Sequence, residues 1–528
     1  MRRVVTQVLA ALAAGWVAVL LSGCAHLPPL DGRLPSHAVT DTGGTALGRA
    51  VGPDAAAHPG LSGIHPLPDA RDAFAARVVL ARAAERSLDV QYYIWNADLS
   101  GTLLFQALHE AAERGVRVRL LLDDNNTRGL DPVLGVLDAH PNIEVRLFNP
   151  FPMRQARLLG FLTDFARLNR RMHNKSFTAD NQVTIVGGRN VGDAYFGATD
   201  GVLFADLDVV ACGPVVSAVS TDFDRYWASG SAYPAARLVP AVDAATAADL
   251  RDRWARLASA PDAAAYTDAV RRSGLMQGLR DGTLGWQWAP TQLISDDPAK
   301  GLDQAQAEAL MLHQMGQAFG APTSGLDLVS PYFVPEAAGV DAFTAMARRG
   351  VRVRILTNAL EANDVPAVHA GYARWRKPLL EAGVRLHELK RAAVAPGGAA
   401  TSDLPDDRPR QATSLAGSSG ASLHAKTFAV DGRRAFVGSF NVDPRSARLN
   451  TELGVVIDSP ALAGAIGAAL DRGLPARSYE VKLDADGELV WLDQVGDGTV
   501  RHTREPGVSV FKRALVTVLS WLPIDGLL

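Results

Sequence analysis

Apolar residues follow two patterns along most of the chain: short runs rich in Val, Leu and Ile, and longer stretches with one apolar face at helical spacing. One strand-like run begins at Leu88, and a second follows some thirty residues later. Between them Leu104, Leu108 and Ala111 lie on one face of a predicted helix. This β-α-β order predicts parallel strands covered by helices, and the same order returns after Leu326.

Repeated sequence supports a division into two similar halves. The hexapeptide R-G-V-R-V-R occurs at 114–119 and again, identically, at 349–354. The stretch L-D-V-Q-Y-Y-I from Leu88 has a counterpart in L-D-L-V-S-P-Y-F from Leu326. The halves therefore look like duplicated domains.

The strongest chemical signal is a motif that occurs twice: H-N-K-S-F-T-A-D ending in G-G-R-N, and H-A-K-T-F-A-V-D ending in G-S-F-N. In each copy the Lys follows the His by two positions, the Asp by seven, the first Gly by fourteen and the Asn by seventeen. Agreement at five positions argues against two unrelated hairpins with surface His and Lys. The residues are His173, Lys175, Asp180, Gly187 and Asn190, then His424, Lys426, Asp431, Gly438 and Asn441.

Strand geometry brings the polar residues of each copy together. Alternate residues of a strand face the same side, so His424 and Lys426 point at one place. Asp431-Gly432 is a strong hairpin signal, and folding the strand back there brings Asn441 near His424. The first copy has the same arrangement, and the Asp of each motif is expected to shape the turn. Two such halves facing each other would put both histidines in one cleft.

The paired motifs resemble those of the phospholipase D superfamily, and longer stretches, from about residue 61 to the C-terminus, resemble the bacterial cardiolipin synthase C type. The resemblance implies an α/β fold of two duplicated phospholipase D-type α-β-α sandwich domains, packed with pseudo-twofold symmetry around one shared active site. The stretches that carry it are D-V-Q-Y-Y-I-W, L-L-L-D-D-N-N-T, R-L-N-R-R-M-H-N-K-S-F-T, V-G-G-R-N-V-G-D-A-Y-F-G, S-G-A-S-L-H-A-K-T-F and G-S-F-N-V-D-P-R-S-A-R-L-N-T-E.

By resemblance, His173 is the nucleophile that attacks phosphorus and His424 is the general acid that protonates the departing alcohol. The implied enzyme is a membrane phospholipid transphosphatidylase that makes cardiolipin through a phosphatidyl-histidine intermediate. Phosphatidylethanolamine and phosphatidylglycerol are the favoured substrates, and two phosphatidylglycerols are another pair. A phospholipase D hydrolase and a phosphodiesterase or nuclease of the same superfamily are the alternatives. Some related enzymes also need a small accessory protein.

The resemblance also carries over a wider set of site residues. Asn190, Asn441 and Ser439 are suited to bind the non-bridging phosphate oxygens, where charge builds in the transition state. The set carried over as catalytic is His173, Lys175, Asp180, His424, Lys426 and Asp431.

Two histidines in one pocket must hold opposite protonation states, so their environments have to separate their pKa values. A carboxylate behind each ring could do part of this. Glu452 matches the family residue that orients the second histidine, His424, and Asp206 is assigned to His173. An ordinary acid at the end of a strand is the alternative for both.

No metal, other cofactor or nucleic-acid partner is expected. The run from Asp123 to Asn126 offers oxygen ligands, but no His or further acid lies near it in sequence. The chain has 528 residues, of which 48% are hydrophobic and 21% charged, which suits an enzyme with two cored domains. A net charge of −3 argues against a protein that coats nucleic acid.

The N-terminus predicts export and lipidation. Met1-Arg2-Arg3 precedes an apolar stretch at 8–21, shorter than the roughly 20 residues that a spanning helix needs. The L-S-G-C that follows resembles a bacterial lipobox, which implies cleavage before Cys24 and acylation of its thiol. An uncleaved anchor is the alternative. The expected location is the bacterial cell envelope, lipid-anchored to a membrane and facing the periplasm.

At the other end, Phe511-Lys512-Arg513 leads into A-L-V-T-V-L-S-W-L-P, which is too short to span a membrane but suited to lie in its interface. A helix docked on the fold is the alternative. A loop near the cleft entrance is predicted at 392–422 and a helix at Ala244–Ala258. The predicted segments are a lipoprotein-type signal peptide at 1–23, a flexible tether at 24–60, the first domain at 61–237, a connecting segment at 238–300, the second domain at 301–480 and a C-terminal extension at 481–528.

Overall fold

The fold is described from a computed structural model. The predicted signal peptide, the predicted lipidation site Cys24 and the loop predicted at 392–422 lie outside the residues that it describes. Within those residues no helix is both long enough and apolar enough to cross a membrane. The described residues are 27–196, 206–363, 365–391 and 423–521.

Two mixed β-sheets, one in each half of the chain, contain the described strands. The strands of the first sheet are β1 (Ser62–Leu67), β2 (Ser87–Tyr92), β3 (Arg117–Asp123), β4 (Ile143–Phe148), β5 (Ser176–Ala179), β6 (Val183–Gly187), β7 (Asp208–Cys212), β8 (Ala232–Pro234) and β9 (Gln287–Ala289). The strands of the second are β10 (Thr291–Ser295), β11 (Gly325–Val329), β12 (Arg352–Asn358), β13 (Arg385–Leu389), β14 (Thr427–Val430), β15 (Arg434–Gly438), β16 (Leu453–Asp458), β17 (Ser478–Leu483), β18 (Leu489–Val495) and β19 (Gly498–His502).

Helices connect the strands and cover the sheets. In the first half and the connecting segment they are α1 (Ala46–Ala57), α2 (Ala70–Ala83), α3 (Leu99–Glu113), α4 (Asp131–Asp138), α5 (Arg157–Thr163), α6 (Phe165–Leu168), α7 (Asp193–Phe196), α8 (Pro214–Ala228), α9 (Ala244–Ala258), α10 (Ala264–Arg272) and α11 (Leu275–Arg280). In the second half they are α12 (Met311–Phe319), α13 (Glu336–Arg348), α14 (Pro366–Ala373), α15 (Arg376–Glu381), α16 (Pro444–Arg448), α17 (Pro460–Arg477) and α18 (Val510–Ser520).

The two sheets repeat one topology. The order β4-β3-β2-β5-β6-β7 in the first sheet returns as β13-β12-β11-β14-β15-β16 in the second. Three parallel strands form one side of each repeat, and an antiparallel hairpin lies beside them. The β2-α3-β3 and β11-α13-β12 units are the predicted β-α-β units. The prediction of an α/β fold with two duplicated halves is confirmed.

The repeated sequence letters form the same buried ion pair in each half. Asp89 on β2 pairs in register with Arg119 on β3, and Asp327 on β11 pairs with Arg354 on β12. Arg119 Nε lies 2.7 Å from Asp89 Oδ1, and Arg354 Nε lies 2.8 Å from Asp327 Oδ1. A buried charge needs a hydrogen-bonded partner, so the Asp and the Arg occur together in both repeats.

A hydrophobic cluster joins the halves. It contains Val186 and Val209 from β6 and β7, and Val437 and Val455 from β15 and β16. These strands belong to the motif hairpins or lie directly beside them. The hairpins of the two halves are therefore held face to face, as a shared site requires.

The flexible tether predicted at 24–60 is wrong for its described part. Helix α1 buries Leu47 and Val51 in the core of the first half. The backbone carbonyl of Ser36 accepts a hydrogen bond from buried Arg119 at 2.9 Å. The segment lacks clear periodicity because it attaches through few apolar side chains and through backbone carbonyls, which leave no pattern in the sequence.

The predicted connecting segment and the predicted C-terminal extension both add strands to the sheets. The segment predicted to connect the halves, 238–300, supplies β9 to the first sheet and β10 to the second. The helix predicted at Ala244–Ala258 is confirmed as α9. The predicted C-terminal extension, 481–528, contains β18 and β19, which extend the second sheet. The second half therefore continues past its predicted end at residue 480.

Candidate active site

The motif hairpins form as predicted from the sequence. Asp180 and Asn181 both have φ 51°, and Asp431 and Gly432 have φ 55° and 61°. These left-handed conformations are those that a tight turn between antiparallel strands needs. Each motif histidine precedes the first strand of its hairpin, so the histidine and the turn lie at opposite ends.

The motif aspartates cap a neighbouring loop at the turn end. Asp180 accepts hydrogen bonds of 2.8–3.2 Å from the backbone N–H groups of 85–87, just before or at the start of β2. Asp431 accepts bonds of 2.7–3.1 Å from those of 323–325, at the start of β11. The structure therefore agrees with the turn interpretation and not with the catalytic assignment of Asp180 and Asp431 that the resemblance carried over.

Each motif histidine contacts a carboxylate of the opposite half. His173 Nδ1 lies 2.8 Å from Glu452 Oε2, and His424 Nδ1 lies 2.5 Å from Asp206 Oδ2. The expected pairing, Glu452 with His424 and Asp206 with His173, is therefore wrong, because the partners are exchanged. Asp206 and Glu452 precede β7 and β16, which lie at the contact between the halves, so their side chains reach across it.

The backbone joins the halves at the same point. The N–H of His173 donates to the carbonyl of Thr451 at 2.8 Å, and the N–H of Thr451 donates to the carbonyl of Arg171 at 2.9 Å. The hydroxyl of Thr451 also bonds the side-chain oxygen of Asn174 at 2.8 Å. Glu452, the next residue, is thereby fixed beside His173.

The contacts at Nδ1 leave the Nε2 atom of each ring for chemistry. A carboxylate that accepts the Nδ1 proton fixes the tautomer in which neutral Nε2 carries a lone pair. Tyr93 contacts the ring of His173 edge-on with centroids 4.9 Å apart, and Tyr195 contacts His424 in the same way at 5.2 Å. The tyrosines restrict the rotation of the rings. Both lie in stretches that carry the family resemblance, but the sequence analysis did not single them out as site residues.

The motif lysines are buried in the same site. Lys175 Nζ donates to the carbonyl of His173 at 2.5 Å, and Lys426 Nζ donates to the carbonyl of His424. Burial lowers the pKa of Lys175 well below its usual value, and Lys426 lowers it further. Burial also lowers the pKa of Lys426 to about 8. Two cations that affect each other show that the motifs share one site, and a bound anion would stabilise both charges.

The two carboxylates have opposite pKa shifts. Burial raises the pKa of Glu452 to about 7, against the opposing effects of Lys175 and of hydrogen bonds from Ser439 and Ser446. Burial also acts to raise the pKa of Asp206, but His424 and neighbouring cations hold it well below its usual range. Asp206 is therefore charged at neutral pH, whereas Glu452 is close to its titration point.

Both histidines are neutral in the free protein at neutral pH. Burial lowers the pKa of His173 well below its usual value, and Lys175 and Lys426 add to the effect. Burial and Lys426 lower the pKa of His424 to about 4, although Asp206 opposes them. The separation of environments expected from the sequence therefore lies in the carboxylates and not in the rings.

The predicted phosphate-binding residues divide into two groups. Among the described residues, Asn190 Nδ2 and Asn441 Oδ1 are buried atoms without a hydrogen-bond partner, which suits amides that hold a ligand. Ser439 instead donates its hydroxyl to Glu452 and accepts from the N–H of Leu453 at 3.0 Å. The assignment of Ser439 to phosphate is therefore replaced by a role in holding Glu452.

Sequence reasoning missed the residues behind Glu452. Ser446 donates to Glu452 Oε1 at 2.8 Å. Asp296 Oδ2 accepts from the N–H of Glu452 and from Lys300 Nζ, both at 2.9 Å, and Lys300 Nζ also donates to the carbonyl of Ser446 at 2.8 Å. An acid and a lysine four positions apart look like an ordinary surface pair in sequence. Here the pair is buried and fixes two backbone groups beside the site.

The acidic run at the end of β3 is occupied by structural contacts. Asp123 accepts from Arg171 Nε at 2.9 Å and from the N–H of Met172 at 2.7 Å, and Asp124 forms ion pairs with Arg154 and Arg157. Across the described ranges, no group of three or more His, Cys, Asp and Glu side chains is placed to hold a metal ion.

Comparison with known proteins agrees with the duplicated site. A family model described as cardiolipin synthase, PLD-like domain, matches residues 79–227 and 315–472, one match in each half. Cardiolipin synthase C of Escherichia coli (strain K12) is 50% identical over 484 residues, covering 91% of this chain and 99% of that protein. An uncharacterized protein of Helicobacter pylori is 31% identical, covering 93% of this chain and 94% of its own length.

A solved structure shows the same fold at low sequence identity. Phosphatidylserine synthase of Haemophilus influenzae Rd KW20 aligns with a TM-score of 0.55 and 13% identity, covering 92% of this chain and 100% of that one. The family match in both halves and the extent of the 50% identity agree with the paired motifs. The chain belongs to the phospholipase D-like family of cardiolipin synthases.

Proposed function

We propose that the protein is a phosphatidyltransferase that makes cardiolipin by moving a phosphatidyl group between lipids through a phosphatidyl-histidine intermediate. The observation that carries the proposal is the pair of crossed His–carboxylate contacts in one buried site. The 50% identity to a protein named cardiolipin synthase C supports the lipid product over a nucleic-acid substrate.

His173 is the nucleophile in this proposal. Its ring is neutral, and Nδ1 is held by Glu452, so the Nε2 lone pair can attack phosphorus. The ring gains positive charge when the N–P bond forms. Glu452, in its ionised form, stabilises that charge at 2.8 Å, and its position is fixed by two serine hydroxyls.

His424 is the general acid. The phosphodiester of a bound lipid is an anion, and an anion beside the ring raises the pKa of His424 toward neutrality. Asp206 stays charged and stabilises the imidazolium that results. His424 then has a proton to give to the departing alkoxide.

The proposed reaction has two displacements at phosphorus. In the first, His173 Nε2 bonds to phosphorus, the bond to the head-group oxygen breaks, and that oxygen takes the proton of His424. In the second, a hydroxyl of phosphatidylglycerol bonds to phosphorus, its proton returns to His424, and the N–P bond breaks. One alcohol is released for each cardiolipin formed, and the enzyme is regenerated.

The non-bridging oxygens need positive partners while phosphorus is five-coordinate. Lys175 and Lys426 are buried cations next to the two histidines. Asn190 offers a buried amide N–H without a protein partner among the described residues, and rotation of the Asn441 amide offers another. Donors fixed in a dry site stabilise developing charge strongly.

The lipid pair follows from the family resemblance. Phosphatidylethanolamine is the proposed phosphatidyl donor, with ethanolamine as the leaving alcohol, and phosphatidylglycerol is the proposed acceptor. Two phosphatidylglycerols, with release of glycerol, are the second pair. A small accessory protein is a further proposed partner.

The proposed location is the bacterial envelope, with the chain anchored by an acylated Cys24 and facing the periplasm. The support is the lipobox-like L-S-G-C after a short apolar run. Mass spectrometry of the chain isolated from membranes tests this point. An acylated Cys24 at the N-terminus is expected, and a chain that still begins at Met1 would overturn it.

A lipid mass-spectrometric assay tests the reaction. The full chain is mixed with vesicles of phosphatidylethanolamine and phosphatidylglycerol, each lipid is omitted in turn, and His173→Ala is the matched control. Cardiolipin only with both lipids, with ethanolamine released and the variant silent, is expected. Cardiolipin from phosphatidylglycerol alone would replace the donor. Phosphatidic acid alone would make the protein a hydrolase and overturn the proposal.

A further inference from the structure

Two groups of exposed apolar side chains lie on helices of opposite halves. Isolated exposed apolar residues are common on protein surfaces, whereas a group on one helix face marks a contact surface. Leu162 is 81% exposed and Phe511 is 89% exposed. The first apolar patch is Leu158, Leu159, Leu162 and Phe165, on α5 and α6. The second apolar patch is Val510, Phe511, Leu515, Val518 and Trp521, on α18 and the residue after it.

The first apolar patch lies beside the half-site of His173. Asp123, the last residue of β3, accepts a hydrogen bond from the N–H of Met172, which directly precedes His173. The carbonyl of the next residue, Asp124, accepts one from Arg157 at 2.7 Å. Arg157 is the first residue of α5. Two hydrogen bonds thus connect the helix that carries the patch to the residue next to His173.

The second apolar patch lies beside His424 by an equivalent route. Asn358, the last residue of β12, bonds both backbone groups of Leu423, which directly precedes His424. The carbonyl of Leu360, two residues further on, accepts a hydrogen bond of 2.7 Å from Lys512 of α18. Strands β3 and β12 are equivalent in the two repeats, so equivalent routes connect the two patches to the two motif histidines.

We propose that the two apolar patches together dock the active site on the surface of a lipid bilayer. This inference rests on the proposed function, because lipid substrates bring the site to a membrane. The reactive phosphate of a phospholipid lies at the boundary between head groups and acyl chains. Apolar side chains of both halves that enter this boundary would hold the histidines at the level of the phosphates.

The charges next to the second apolar patch favour a membrane over a protein partner. Lys512 and Arg513 lie in the first turn of α18, and this helix contains no Asp or Glu. Arg157 begins α5, but it is ion-paired with Asp124, and Asp164 directly follows the helix, so the cationic border is a feature of the second apolar patch. Cations that border apolar side chains are the pattern of a helix that lies in the interface of an anionic bilayer. Phosphatidylglycerol, the proposed acceptor, is such an anionic lipid.

Single-cysteine labelling with an environment-sensitive fluorophore tests the contact in the full chain. The labelled variants are Leu162→Cys and Phe511→Cys, with Leu312→Cys as the matched control. Leu312 is also exposed, at 55%, but lies on α12, which packs against strand β10 at the edge of the second sheet. Cys212 is buried, and burial raises its pKa to about 12, so its thiol does not react. Wild-type chain treated in the same way measures labelling at Cys24.

Vesicles of phosphatidylethanolamine and phosphatidylglycerol should blue-shift the fluorophore at positions 162 and 511 and leave it unchanged at 312. The same response at 162 and 312 would overturn the proposal. A blue shift that depends on protein concentration without vesicles would assign the patch to a second copy of the chain and also overturn it. If the labelled variants respond to vesicles but the wild-type protein turns over no lipid, the docking surface stands and only the proposed function is overturned.

A kinetic comparison adds a second readout. Leu158→Ser/Leu162→Ser should slow turnover on vesicles by about tenfold, because two exposed side chains lose their contact with the acyl region. Turnover of short-chain phospholipids dissolved as monomers should be unchanged, and Leu312→Ser should match wild type on both. Equal losses on vesicles and on monomeric lipid would show damage to the fold instead of a lost membrane contact.

Discussion

The two half-sites share a topology and differ in how each carboxylate is held. Glu452 and Asp206 occupy equivalent places before β16 and β7, and each reaches the histidine of the other half. Glu452 accepts hydroxyls from Ser439 and Ser446, whereas the position equivalent to Ser439 is Gly188. The pKa values of the two acids also differ: burial raises that of Glu452 to about 7 in spite of the serine hydroxyls, whereas His424 and neighbouring cations hold that of Asp206 below its usual range. Duplication thus supplied two similar frames, and the residues around each acid made them unequal.

The position equivalent to Ser446 differs as well. Ser446 lies five residues after the motif Asn and bonds Glu452, while Tyr195 lies five residues after Asn190 and contacts the ring of His424. One half-site therefore uses this position to hold the carboxylate, and the other uses it to hold the ring.

The largest expected effect is the loss of activity on replacing either histidine. A substrate whose leaving group needs no proton distinguishes the roles of the two. His173→Ala and His424→Ala should each lose at least about a thousandfold in turnover of natural lipid. With a phosphodiester of p-nitrophenol, whose departure needs no proton, His424→Ala should recover a burst of p-nitrophenol and His173→Ala should not. The measurement is rapid-mixing absorbance. A burst from His173→Ala in place of His424→Ala would exchange the two roles.

Exchanging the small residues of the half-sites should produce unequal losses. A Cβ on Gly188 would lie 2.2 Å from Asp206 Oδ1, so Gly188→Ser must displace the acid that holds His424. A loss of about a hundredfold in kcat is expected, since small misplacements in a site are costly. Ser439→Gly removes one hydroxyl from Glu452 and should lose only about tenfold. Steady-state cardiolipin formation gives both values.

Thermal unfolding serves as the control for this pair of variants. Both proteins should unfold at temperatures close to that of wild type if the losses arise in the site. A larger loss for Ser439→Gly than for Gly188→Ser would contradict the comparison of the two half-sites.

The pH dependence of kcat/KM should report Glu452 and not Asp206. The pKa of Glu452 is raised to about 7, so its charged form is lost and activity falls as the pH drops through that value. The pKa of Lys426 is lowered to about 8, so its charge is lost and activity falls again above that pH. Glu452→Gln should abolish this fall in kcat/KM at low pH, the acid limb of the profile. Asp206→Asn should lower the rate and leave the acid limb in place. An acid limb that disappears in Asp206→Asn would refute the assignment.

The smallest expected effect comes from the buried pair behind Glu452. The charge of Lys300 lowers the pKa of Glu452, so Lys300→Met should move the acid limb to higher pH. The charge of Asp296 acts in the opposite sense, so Asp296→Asn should move it to lower pH. The measurement is the pH profile of kcat/KM, taken from rates at lipid concentrations below saturation. Shifts in the same direction would indicate general damage instead of positioning of Glu452.

Local patterns in the sequence predicted whatever depends on neighbours along the chain. The hairpin turns at Asp180 and Asp431 follow from short-range turn chemistry, and the helix Ala244–Ala258 follows from its periodicity. The duplicated β-α-β units follow from repeated letters whose Asp and Arg form the same ion pair in both halves. Such features need no knowledge of how the halves pack.

Contacts between the halves could not be read in the same way. The chain distance from Glu452 to His424 is 28 residues and to His173 is 279, yet Glu452 contacts His173. Ser439 was predicted to donate a hydrogen bond to phosphate because it lies in the motif. In the structure its hydroxyl donates to the adjacent Glu452. Lys300 and Asp296 carried no signal, because only the packed structure buries them beside the site.

The exchange of carboxylates between the halves also determines which site residues a single half would contain. A free first half would keep His173 without Glu452, and a free second half would keep His424 without Asp206. Neither fragment contains a complete histidine–acid pair, so neither repeat would be an active enzyme by itself. The active site is formed at the contact between the two repeats, and it exists only while the two repeats remain packed against each other.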